Sequence, residues 1–258
     1  MIENPVIETL LAHRSIRKFT DETPSEETVE TIVRAGQQAP FAMQLYSILL
    51  SREKDRNPWK APLLFTICVD PHKFECIMSK RNWRMLSNDL AVLLYGIQDA
   101  TLMAENMVVA GRSLGFGSCF LGSTPFRAEK IAKEYSLPER VFPLVQLAMG
   151  FPAENPSTRP RYPMEFTLFE DSYPELDDTK ISRAMQKMDE GYLDQDYYRK
   201  NNAKIPLMGS RKETFTFLDY SWTEHICRKL GQWHEDPKEL LNQLEKRGFH
   251  IFEKPSEK

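Results

Sequence analysis

Two guanidiniums, a hydroxyl and an imidazole fall within five positions at His13-Arg14-Ser15-Ile16-Arg17. Arginine presents a planar fork of donors that fits the oxygens of a phosphate, and serine adds a short neutral donor. An isolated Arg-Ser-x-Arg is most simply a solvated basic turn. This one follows directly on a short amphipathic helix, where the side chains can converge on one anion. A second basic element, Arg159-Pro160-Arg161, is stiffened by its proline. In an extended chain alternate residues face the same way, so Arg159 and Arg161 either meet one anion together or stand as surface charges. A third basic stretch contains Arg199, Lys200, Lys204, Arg211 and Lys212. Its simple reading is a solvated loop. No cysteine or histidine cluster points to a nucleophile or a metal. Cys68, Cys76, Cys119 and Cys227 are scattered without a C-x-x-C, so neither a disulfide framework nor a zinc site is expected.

These residues must be held by helices interleaved with short apolar strands. Asn4-Pro5 opens a helix whose apolar face is Val6, Ile7, Leu10 and Leu11. A second helix opens at Thr23-Pro24-Ser25-Glu26 as a capping box with proline in the first turn, and runs until Pro40. Tyr46 to Leu50 and Leu63 to Val69 read as strands. Asp89 to Ser113 is the longest helical pattern, apolar on nearly every side, and is therefore expected to be buried all round, against this chain or a second subunit. Gly115 to Gly122 is a glycine-punctuated strand. Phe126 to Tyr135 is helical, and Val141 to Met149 is a strand. Asp177 to Tyr198, Trp222 to Leu230 and Lys238 to Arg247 read as three further helices. The pattern implies α/β or α+β, one domain over residues 1–258 with 174–258 as a helical C-terminal excursion.

The chain has 258 residues, 41% hydrophobic, and a net charge of −3. That supports one substantial core. The charge balance, and the lack of regularly placed aromatics among the basic residues, speak against a nucleic-acid partner. No stretch is apolar enough for a membrane span, the N-terminus lacks a signal pattern, and the unpaired cysteines suit a reducing cytoplasm.

The string His13 to Thr20 resembles the opening of the flavin-dependent nitroreductase family, and further motifs follow in family order. Gln44-Leu45-Tyr46-Ser47-Ile48 is similar to a strand beside the flavin in the NADPH-dependent, oxygen-insensitive branch. Asp99-Ala100, Ala104 and Asn106, then Ser113 to Gly117 and Phe120-Leu121-Gly122, resemble its central helix and glycine turn. Leu137 to Leu144, Gly150 to Pro156, Arg159 to Pro163 and Ser221 to Ile226 continue the likeness over almost the whole chain.

The resemblance implies an α+β fold with a mostly antiparallel sheet wrapped by helices, in a domain-exchanged homodimer with FMN at the interface. It implies that His13, Arg14, Ser15 and Arg17 on one side and Arg159 and Arg161 on the other hold the FMN phosphate. Gln44 is a candidate for the pyrimidine edge, or is a strand amide satisfied by backbone. Asn57 stands near where relatives carry a ring-contacting amide. Cys119, Phe120, Leu121 and Gly122 bring backbone close to the ring, since glycine lacks the Cβ that would hold it away. Arg211 and Lys212 fall where relatives hold the 2′-phosphate of NADPH. The chain departs from the family at Ala39-Pro40-Phe41-Ala42-Met43, apolar where relatives are rich in Ser and Thr, so Phe41 and Met43 wall the pocket instead. The activity implied is two-electron, ping-pong reduction of nitroaromatics, quinones or flavins by NADPH or NADH, with no side-chain nucleophile and a small planar acceptor. The rival readings are a non-catalytic flavin or nucleotide sensor on the same fold and a basic-patch nucleic-acid binder.

Overall fold

A computed structural model describes residues 2–232 and 236–253. They divide into two compact units, 1–156 with 236–258, and 157–235. The excursion therefore begins at Ser157 rather than Pro174, and the last helix returns to the first unit.

The first unit opens with α1 (Pro5–Leu11) and α2 (Glu26–Gln37). Asn4 caps α1 by accepting from the Val6 and Ile7 N–H groups, each at 3.0 Å. The cap of α2 is Ser25, whose hydroxyl accepts from Thr28 N–H at 3.2 Å. The helix thus starts two residues later than the Thr23 pattern suggested, and Pro24 stands before it. Then come β1 (Tyr46–Ser51), β2 (Leu63–Val69), α3 (His72–Lys80), α4 (Asp89–Ser113), β3 (Gly117–Leu121), α5 (Ala128–Glu134) and β4 (Phe142–Gly150). Helix α3 has no counterpart in the sequence reading.

The sheet is fully antiparallel in the order β1-β2-β4-β3. Every residue of β2 is buried, as a central strand covered on both faces requires. The β2–β4 register slips between Ile67 and Cys68, opposite Pro143, which has no N–H to give the ladder. One face packs under α2 and α4, with Ile32, Met103 and Met107 closing over Phe65, Leu147 and Met149. The contact is close. A Cβ at Gly96 would stand 2.3 Å from Val69 Cγ1, and one at Gly111 would stand 3.0 Å from Met149. The other face carries Leu64 and Ala148 under Phe19, Trp59 and Leu121.

Within the single chain helix α4 is not buried all round. Leu90, Leu94, Tyr95 and Leu102 stay exposed, as do Val6, Leu10 and Leu11 of α1. No described helix is long and apolar enough to cross a membrane.

The second unit holds α6 (Asp178–Asp194), α7 (Tyr197–Lys200) and α8 (Trp222–Gln232). Sequence reading merged the first two. They are broken by Asp196 at φ 51°, a left-handed turn that few residues adopt. Tyr192, Tyr198 and Tyr220 form this unit's own core with Met188. The chain then returns as α9 (Pro237–Glu245), which seats Leu244 and Phe249 against Val69 and Phe142 of the first unit.

Candidate functional site

The basic segment after α1 lies along the sheet edge. Ser15 makes a parallel bridge to Ser118 of β3, and Ile16 N–H donates to Ser118 O at 2.9 Å. Thr20 N–H donates to Phe151 O at 2.9 Å, and Ala153 N–H to Lys18 O at 2.8 Å. Ile16 is buried and takes the space that a side chain at Gly117 would need. That anchor sorts the segment by parity, because successive side chains of an extended chain point to opposite faces.

Ser15 and Arg17 therefore go one way. Burial pushes the Cys119 thiol up in pKa, and Arg17 and Ser15 pull it back. The Arg17 guanidinium stands 5.7 Å from the centre of the Trp59 ring, inside cation–π range. The Arg17 and Lys18 N–H groups both donate to Glu154 Oε1, at 2.5 and 3.1 Å. Arg14 goes the other way. Its Nη1 donates to Asn155 Oδ1 and, at 3.0 Å, to Pro156 O, and its Nε donates to Ala12 O at 3.3 Å. It faces a cleft of about 370 Å³ lined also by Arg112, Phe116 and Glu8. The sequence brought Arg14, Ser15 and Arg17 to one anion; the fold places Arg14 apart from the other two. The His13 N–H donates to Leu10 O at 3.1 Å at the end of α1.

Beyond the bridge, β3 has an open edge. Ser118 turns its carbonyl outward to Ile16, and the same parity directs the main chain of Phe120 outward. Phe120 is exposed and Leu121 half-buried. Around Gly122 nothing lies within 4 Å of where a Cβ would stand.

The apolar loop before β1 is strapped from α4. Asp99 is 1% exposed. Its carboxylate accepts from Ala42 N–H at 2.6 Å and from the Met43 and Leu45 N–H groups at 3.0 Å each. The strap fixes Gln44 at φ 57°, a left-handed conformation, with its side chain exposed. Phe41 and Met43 are exposed beside it.

Asn57 is placed differently from its expected role. It is buried, its Oδ1 accepts from Trp59 and Ala61 N–H at 3.2 and 2.9 Å, and its amide donates to Ala61 O at 3.2 Å. That side chain closes its own loop.

In the second unit Arg159 and Arg161 have different protein partners. Arg159 stacks 4.0 Å from the centre of the Tyr197 ring and donates to Gln195 Oε1 at 2.7 Å. Arg161 is exposed and, among the described residues, donates to the carbonyls of Arg159 and Pro160, at 3.0 Å each. In the basic stretch, Arg199 pairs with Asp196 at 2.9 Å, Lys200 donates to Gln195 O at 3.0 Å, and Lys204 pairs with Glu213 at 3.2 Å. Arg211 and Lys212 are exposed.

Four residues with roles here escaped the sequence reading. Asp99 was noticed only as part of a motif, although a carboxylate inside an apolar helix is itself a signal. Trp59 follows Asn57 by two positions. Glu154 and Arg112 carry no local signal, since their neighbours are remote in sequence.

Comparison with known proteins identifies the family and the fold. A model of the nitroreductase family matches residues 10–63 and 50–151. The FMN reductase (NADPH) of Bacillus subtilis is 28% identical over 96% of this chain and 99% of its own length. The oxygen-insensitive NADPH nitroreductase of Salmonella typhimurium is 29% identical over 95% and 98%. An NADPH-dependent oxidoreductase of Staphylococcus aureus is 30% identical over 92% and 94%. Among solved structures, B. megaterium NfrA2 superposes with a TM-score of 0.82 at 26% identity, over 97% of this chain and 100% of that one. The NADPH:FMN oxidoreductase of Vibrio harveyi, in complex with NAD+, gives 0.76 at 26% identity, over 95% and 98%.

Proposed function

The chain belongs to the nitroreductase family, and from that premise we propose how its own residues serve the family's chemistry. It is an FMN-dependent oxidoreductase that uses NAD(P)H. Bound FMN supplies a ring that takes two electrons from NAD(P)H and passes them to a second planar molecule. Nitroaromatics, quinones and free flavins are the acceptor classes.

The arrangement of Ser15 and Arg17 beside the open edge of β3 carries the assignment of the site. Among the described residues Arg17 has no carboxylate on its guanidinium, so its charge is left for an anion, and Ser15 adds a hydroxyl near it. The Phe120 main chain faces the same open edge and supplies donors to the polar rim of a ring. Gly122 supports the fit. Neither its backbone angles nor its neighbours require glycine, so a flat ligand laid against the main chain accounts for the missing side chain. Gln44, held by the strap from Asp99, offers an amide to the pyrimidine edge. Phe41 and Met43 wall the place where planar molecules alternate. Arg161, bonded only to its own segment, is the candidate of the second unit for the flavin phosphate, and Arg211 and Lys212 are its candidates for the NADPH 2′-phosphate. Arg159 is spent on Tyr197.

The exposed row Leu90, Leu94, Tyr95 and Leu102 on α4, with the bare face of α1, is the surface for a second copy. The four free cysteines agree with work in the cytoplasm.

The test is Arg17→Ala. Retained FMN is expected to fall, with affinity lower by about 10- to 100-fold, the worth of one charge-assisted contact. NADPH added without oxygen should bleach the wild-type flavin rapidly. Wild-type affinity in the variant removes Arg17 from the site; colourless wild-type protein that cannot be reconstituted removes the flavin.

A further inference from the structure

The turn at residues 209–212 of the second unit is tied at both ends to α8. On one side the Met208 N–H donates to Gln232 Oε1 at 3.1 Å, and the Gln232 amide donates back to Pro206 O at 2.7 Å. On the other side Glu213 takes the Arg228 guanidinium in a two-pronged contact, Nη1 to Oε2 at 2.7 Å and Nη2 to Oε1 at 2.8 Å. Arg228 and Gln232 are one helical turn apart, so both ties spring from one face of α8. Gly209 turns the chain between them at φ 73°.

Arg228 is 3% exposed and engages all three of its nitrogens. Its Nη1 also donates to Ile205 O and its Nε to Glu224, each at 2.7 Å. Lys204 brings a second cation to Glu213 at 3.2 Å. A buried ion pair of this kind adds little net stability over well-packed apolar side chains. What the fork does supply is a fixed position and direction for the chain at Glu213. The charges of the network cancel, Arg228 and Lys204 against Glu213 and Glu224. Arg211 and Lys212, inside the turn, stand outside that balance. Both are exposed, and among the described residues neither has a carboxylate within ion-pair distance. Two uncompensated cations on a turn pinned at both ends match a phosphate monoester, which carries a charge of about −2.

We propose that Glu213, pinned by Arg228, is a positioning residue that sets the preference for NADPH over NADH. It holds Arg211 and Lys212 ready for the 2′-phosphate, with Gln232 fixing the other end of the turn. This rests on the assignment of Arg211 and Lys212 to that phosphate. Two long side chains already placed pay less ordering entropy on binding, and NADH, which lacks the group, gains nothing from them.

The experiment uses full-length, FMN-loaded protein and its variants Glu213→Gln, Glu213→Asp, Gln232→Ala and the double variant Arg211→Ala with Lys212→Ala. Bleaching of the flavin without oxygen gives a half-saturation and a limiting rate for NADPH and for NADH. Calorimetry gives the affinity for adenosine 2′,5′-bisphosphate. Glu213→Gln is expected to weaken NADPH and the bisphosphate about tenfold, with NADH half-saturation and both limiting rates unchanged. Charge alone predicts the opposite, since removing an anion beside the turn should tighten a dianion. Glu213→Asp, which keeps the charge on a shorter arm, should fall between wild type and Glu213→Gln. Gln232→Ala should weaken NADPH in the same direction by a smaller factor. A double variant that binds NADPH like wild type removes Arg211 and Lys212 from the phosphate and takes the proposal with them. A double variant that loses NADPH while Glu213→Gln binds it as well as wild type, or better, overturns the positioning role alone. Equal weakening of NADPH and NADH in Glu213→Gln also overturns it, because that is the mark of a damaged unit.

Discussion

Replacing Asp99 by alanine removes the acceptor that three loop N–H groups share. The cost can be worked from where those donors end up. Ala42 and Met43 are exposed, so water takes over their hydrogen bonds. Leu45 is 2% exposed, so its N–H loses its partner inside the protein. A buried donor left unsatisfied costs about 1–3 kcal/mol, and losing a bond to a charged group adds about 1.5–3 kcal/mol. Against this, the loop can relax Gln44 out of its left-handed conformation, recovering about 1 kcal/mol. The net destabilisation is about 3 kcal/mol, equivalent to a drop of about 6–12 °C in melting temperature for a chain of this size. Urea unfolding and thermal melts at one fixed protein concentration measure it, with Glu105→Ala on the exposed side of α4 as the control, expected within about 0.5 kcal/mol. Asp99→Asn should fall between, since its oxygen still accepts while its amide turns a donor toward a donor. If Asp99→Ala melts with the Glu105→Ala control, the carboxylate does not hold the loop and the reasoning fails.

Further outcomes follow from groups away from the loop. Lys133 and Lys246 hold the Glu129 carboxyl down at about 2. A depressed carboxyl contributes stability above its unfolded pKa and loses it as pH falls through the folded value. The melting-temperature gap between wild type and Glu129→Gln should therefore be full above about pH 5 and close as pH approaches 2; a gap that does not change with pH counts against the α5–α9 bridge. Thiol labelling should separate the cysteines. Cys76 and Cys227 are exposed and should react in the native protein, while burial pushes Cys68 up to about 12 and also raises Cys119, so those two should react only after unfolding. Fast labelling of all four would show that the β2 and β3 thiols are open to solvent.

The elements carried by strong local signals were legible in the sequence. Helix α4 was read to its ends, because Asn88 accepts from Ala91 N–H at 2.8 Å and Gly115 turns the chain after it. Strand β2 was read to its ends from an apolar run broken only by Thr66. Helix α3 was missed because none of its residues is fully buried and it has no side-chain cap. The break at Asp196 was missed because a left-handed aspartate leaves no mark in a helical pattern. The departure at Ser157 was missed because it falls in irregular chain without a change of composition.

The candidate site was half legible. A basic, serine-bearing segment announces an anion. Its division into two directions is set by the Ile16 anchor on Gly117, which exists only after β3 is in place. The reach of Asp99 to a loop 54 to 57 positions away is a tertiary fact that no local pattern contains.

Helix α4 meets the sheet where Gly96 lies on Val69 with no room for one more carbon, and where Gly111 lies close on the end of the Met149 side chain. A rod seated that tightly at both ends cannot slide or roll without driving backbone into side chains. The anchorage that Asp99 gives to residues 42–45 therefore has a fixed origin. The loop that carries Phe41 and Met43 therefore hangs from a frame with little play.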